Sequence, residues 1–118
     1  MVNQKEVYKF SKEFERILIE AIDDGLNLLG ETVGTVLLMM IRERHNIEKD
    51  EIPRKIKEFS SALRSILGNG GGKFVEKIIV TCLFSRLGLG TPKGEREFHE
   101  YILDAYRKTS RSLKMAKN

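Results

Sequence analysis

The chain has 118 residues, 41% hydrophobic and 32% charged, with 21 basic against 17 acidic side chains, a net charge of +4 and one cysteine. That length suits one domain with a core that needs neither disulfide nor structural metal, and the lone thiol, Cys82, excludes an intramolecular bridge and fits a reducing, cytoplasmic compartment. The longest unbroken apolar run, Val36 to Ile41, is far short of a membrane span, and the opening Met1-Val2-Asn3-Gln4-Lys5-Glu6 reads as neither signal peptide nor anchor.

Apolar residues recur at helical spacing along almost the whole chain and nowhere alternate for long, which predicts an all-α fold. A first helix is expected over 4–29, with Val7, Phe10, Phe14, Ile17, Leu18, Ala21, Ile22, Leu28 and Leu29 at steps of three and four. Asn3 with Glu6 offers one capping start and Ser11 a rival one, while Gly30 is the natural terminator. A second helix is expected over 31–45, closed by Asn46, a residue tolerant of the left-handed conformation. Its middle, Val36-Leu37-Leu38-Met39-Met40-Ile41, is apolar on every side, so it is either buried centrally or shared with a partner. Met39 and Met40 read as core fillers or, with Val36, as an adaptable partner-binding surface.

The polar connector Glu48-Lys49-Asp50-Glu51 leads into Ile52-Pro53, where proline holds its predecessor extended. A third helix over 54–67 then carries Ile56, Phe59, Leu63, Ile66 and Leu67 on one stripe, with Arg54, Lys55, Lys57, Glu58 and Arg64 facing outward. Next comes Gly68-Asn69-Gly70-Gly71-Gly72-Lys73, a joint that cannot continue a helix cheaply. It either cradles a phosphate at a new helix N-terminus or turns the chain so that two helices pack antiparallel. The fourth helix, over 72–87, presents Phe74, Val75, Ile78, Ile79, Cys82, Leu83 and Leu87, with Cys82 pointing inward as a small hydrophobe. Thr91-Pro92 reads as N-cap and first position of a last helix over 92–112 with Phe98, Tyr101, Ile102, Ala105 and Tyr106.

These elements predict one helical domain over 1–112 and a frayed basic tail over 113–118. Five helices with short connections give an orthogonal bundle, or an up-and-down bundle with one helix laid across it. The first, second and fourth are the most apolar and are expected at its centre.

Leu29-Gly30-Glu31-Thr32-Val33, Glu51-Ile52-Pro53, Phe59 and Leu63, Gly68 and Gly70, and Leu87-Gly88-Leu89 follow one another between Phe14 and Leu89. In that order they resemble the archaeal Nitrosopumilus output domain family, small all-helical domains described as output modules of signal-transduction proteins. The family pattern has an aromatic where Leu67 stands, and this joint carries additional glycines. The resemblance implies a helical signalling or interaction domain and no catalytic residue.

Residue chemistry points the same way. A phosphate loop of the Walker type would put its first glycine at Leu67 and its magnesium-binding hydroxyl at Phe74, so the joint fails that spacing. The dinucleotide pattern lacks its last glycine and its preceding strand. The remaining anion-site candidates are Gly71, Gly72 and Lys73. His45 and His99 have no ligand partner three or four residues away, so no metal, cofactor or catalytic group is expected. Arg107, Lys108, Arg111, Lys114 and Lys117 form an acid-free basic end that suits a terminal helix dipole or, with Arg42 and Arg44, non-specific nucleic-acid phosphates. No helix-turn-helix pattern accompanies it. The expected function is a non-catalytic interaction domain acting through protein contact or as a homodimer, with phosphate binding to nucleic acid as the alternative.

Overall fold

A serine sets the start of the first helix. In the computed structural model, which describes residues 8–116 and the side chains of 8–110, Ser11 Oγ accepts the Phe14 N–H at 3.1 Å and opens α1 (Lys12–Leu28). Residues 8–11 are therefore not helical, where a helix from residue 4 was expected; Asn3 and Glu6 lie outside the described residues. The extended segment has its own role in packing. Phe10 sets its ring 4.9 Å from Phe14 and 4.8 Å from Tyr106, tying the chain start to the last helix.

The second helix, α2 (Glu31–His45), has the predicted bounds. Gly30 enters it at φ 113°, and Asn46 closes it in the left-handed region at φ 57°, donating its N–H to the Arg42 carbonyl at 3.0 Å. The polar connector is more ordered than expected. Lys49–Arg54 form a 3-10 turn whose entry is capped by Glu51, which accepts the Glu48 N–H at 2.9 Å, and Ile52 and Pro53 plug the core from it. Lys55, at φ −129°, then breaks the chain direction, so the third helix begins at Ile56 rather than at 54.

That helix, α3 (Ile56–Arg86), is interrupted once, at Gly68, with φ 81° and ψ 165°. A straight run from Ser60 to Glu76 would span about 24 Å. Instead the Ser60 hydroxyl donates to Glu76, and Arg64 reaches the same carboxylate at 3.0 Å, so the two arms fold back on each other. The turn is a single residue. Asn69 to Gly72 already belong to the second arm, which therefore starts before the expected 72. Antiparallel packing, one of the two roles open to the glycine joint, is the arrangement found.

The last helix, α4 (Phe98–Ala116), starts six residues after Pro92. Thr91-Pro92 fails as a start because Gly94 follows at φ 83°, and the operative cap is Glu97-x-x-Glu100, with Glu100 accepting the Glu97 N–H at 2.8 Å. Residues 113–116 continue α4, where a frayed tail was expected; residues 117 and 118 lie outside the described residues.

The described elements are thus all α or 3-10, as the periodicity predicts, and their radius of gyration of 14.0 Å is close to the roughly 13 Å of a compact 100-residue chain. The centre is occupied by α1 and both arms of α3, with Phe14, Leu18, Ile22, Phe59, Leu63, Ile79 and Leu83 fully buried. The second helix was expected there and is peripheral. Only Gly34, Leu37 and Ile41 of α2 are buried, because the first arm of α3 already fills the central place with Ile56, Phe59, Ala62 and Leu63. Outside this core Arg86 clamps α3 to α1, bonding Asp24 at 2.6 Å and Glu20 at 2.7 Å, and it holds the Asp24 carboxyl below the usual carboxylate range.

Candidate functional site

The buried stripe of α2 is narrow, but its sequence is apolar all the way round. The surplus faces water. Val33 is 52% exposed, Val36 42% and Met39 42%, in a stretch from Thr32 to Ile41 that carries no charge although 32% of the chain is charged. Across from them the turn of the α3 hairpin leaves Leu67 40% and Phe74 60% exposed. Between the two lies an open groove of about 500 Å³, walled by Val33, Val36 and Met40 on one side and Leu67, Gly71 and Phe74 on the other. The groove opens to solvent and its lining is almost wholly apolar.

Of the three partner-binding residues named from sequence, Val36 and Met40 line this groove, whereas Met39 is exposed and is not among its lining. The core reading of Met39 is corrected: that side chain points away from the buried Leu37 and Ile41. Leu67 and Phe74 were missed as surface residues, having been assigned to the core stripes of their helices. Their spacing suits either face, and only the sharpness of the turn at Gly68 decides that they end up outside.

The glycine joint does not gather its three anion-site candidates into one place. Gly72 is buried against the first arm, where an added Cβ would lie 2.9 Å from both Arg64 Cα and Arg64 N. Gly71 lines the apolar groove, and Lys73 lies beside a second cavity of about 330 Å³ with Lys77 and Arg96 at its rim and Val80 and Phe98 at its base. One of the additional glycines thus has a packing explanation: Gly72 lets the arms approach to backbone contact.

Beneath this crossing sits a buried charge that sequence reasoning overlooked. Glu76 is 3% exposed, accepts from Ser60, and takes a forked pair from Arg64 Nε at 3.2 Å and Nη2 at 3.0 Å. Arg64 was expected to face outward; it turns in because its partner lies across the hairpin, and that hydrogen bond holds the guanidinium more firmly protonated. The available signal was symmetry. Ser60 and Arg64 precede Gly68 by eight and four residues, and Gly72 and Glu76 follow it by the same steps.

Cys82 is half-buried against the core, and burial with Asp24 nearby pushes its thiol up, away from the reactive thiolate. Among the described residues no group of three His, Cys, Asp or Glu is arranged to hold a metal, and no described helix is long and apolar enough to cross a membrane. Arg107 and Lys108 are exposed on α4, with Lys108 paired to Asp104 at 3.2 Å, and Arg42 and Arg44 are exposed at the end of α2. The side chains of Arg111 and Lys114, and all of Lys117, lie outside the described residues.

No protein-family model, curated protein or solved structure matches this chain.

Proposed function

We propose that the chain is a non-catalytic interaction module whose working surface is the apolar groove between α2 and the turn of the α3 hairpin. One observation carries this: Val33, Val36, Leu67 and Phe74, four of the six large apolar side chains left exposed among the described residues, surround one groove of about 500 Å³. A groove walled by apolar side chains on both sides suits the apolar face of a protein helix, read through anchors spaced three and four residues apart. The resemblance to the Nitrosopumilus output domain family supports a role at the output end of archaeal signal transduction, in the cytoplasm, where contact with another protein is the product of the signal.

Site-specific photocrosslinking tests this reading. Benzoylphenylalanine placed at position 74 and irradiated in an extract of the source cells is expected to give discrete protein adducts, which Val36→Glu abolishes. The same group at position 93, on the exposed connector before α4, is expected to give none. Absence of adducts at 74, or identical adducts at 93, would overturn the proposal.

A further inference from the structure

We infer that the occupant of the groove is α2 of a second copy of this chain, the two helices running antiparallel about a two-fold axis near Val36. This rests on the docking reading above and names its partner. The first support is spacing. Within α2, Val33, Val36 and Met40 follow steps of three and four, the seam spacing of a two-helix coiled coil, over about 10 Å of helix. The facing wall is built across the Gly68 turn, with Leu67 from the first arm of α3 and Gly71 and Phe74 from the second.

The second support is the missing charge. On a two-fold axis each residue meets its own copy or the copy's near neighbours, so any charge close to the axis meets a like charge. A contact with a different protein has no such constraint and is ordinarily studded with charges at its edge. The ten residues from Thr32 to Ile41, centred on Val36 and Leu37, have none. An antiparallel pair centred there sets Val33 of one copy against Met40 of the other. It also brings the end of α2 that carries Arg42, Arg44 and His45 beside the end that carries Glu31, with the two helix dipoles opposed.

The third support is area. The exposed parts of Val33, Val36, Leu67 and Phe74 leave on the order of 300 Å² of apolar surface in water around the groove, within the range of the largest patch of a monomer. A standard interface buries about 800 Å² per partner, so this patch with a polar rim suits a small, reversible dimer contact.

Sedimentation of the full chain over a concentration series tests the inference. The mass is expected to rise from 13.5 kDa towards twice that value as concentration passes through tens of micromolar, roughly the range for an interface of this size. Val36→Glu is expected to stay monomeric with an unchanged circular dichroism spectrum. In a Cys82→Ser background, Val36→Cys is expected to oxidise to a covalent dimer faster than Thr81→Cys, which places the thiol on an exposed stretch of α3. A chain that stays monomeric at about 1 mM, or a dimer that survives Val36→Glu, overturns the inference. A monomeric chain whose adducts at position 74 are to a different protein overturns the second copy and leaves the docking reading standing. Monomer without adducts overturns both.

Discussion

Replacing Arg64 with methionine is expected to destabilise the fold by on the order of 2–3 kcal/mol. The guanidinium makes both charge-assisted bonds to Glu76, and its loss leaves a 3%-exposed carboxylate with one hydroxyl donor, Ser60. Breaking a fully buried pair typically costs about 3–5 kcal/mol; Arg64 keeps 30% of its side chain in water, which reduces the figure. The double variant Arg64→Met/Glu76→Gln is expected to recover at least half of the loss, because the buried charge is then gone from both sides. Urea denaturation of the two single variants and the double variant gives the coupling directly. Additive losses would mean that the pair is not the unit that closes the hairpin.

The glycine joint gives the second large effect, and its glycines are expected to behave differently. Gly68→Ala should cost about 2–3 kcal/mol, because φ 81° with ψ 165° is a region open essentially to glycine alone. Nothing lies within 4 Å of an added Cβ there, so the loss comes from the backbone and not from a clash. Gly72→Ala should cost a similar amount, about 1–3 kcal/mol, for the opposite reason. Its conformation is helical, but the Cβ would meet Arg64 backbone atoms at 2.9 Å. Gly70→Ala meets nothing within 4 Å and sits in the helical second arm, so it should stabilise by up to about 1 kcal/mol. Equal effects at all three positions, read by thermal or urea denaturation, would contradict a one-residue turn with a backbone-to-backbone crossing beside it.

These contrasts also show how far the sequence could be read. The helical class, the bounds of α2 with its Asn46 cap, and the break at Gly68 follow from local chemistry, because capping and left-handed residues act within a few positions of themselves. Where two local signals competed, geometry beyond the sequence window chose. Ser11 prevailed over the earlier start because Phe10 is needed between Phe14 and Tyr106, and Gly94 cancelled the start at Thr91-Pro92. The place of α2 was misread for a related reason. Its run from Val36 to Ile41 records how much apolar surface the helix has, and says nothing about which neighbour covers it. The pairing of Arg64 with Glu76 depends on the arms folding back through one residue, so neither residue could be recognised as a buried partner from its own helix alone.

The central claim is that one face of α2 belongs to the fold and the adjacent face to a partner. Val36 and Leu37 are neighbours in sequence, yet 42% and 4% exposed. Equilibrium denaturation of Val36→Glu and Leu37→Glu, at a protein concentration low enough that the parent chain is monomeric, tests that claim most directly. The account predicts that Val36→Glu stays within about 0.5 kcal/mol of the parent, while Leu37→Glu loses roughly 3 kcal/mol or more. A comparable loss for both would place Val36 in the core and contradict a groove kept open for recognition.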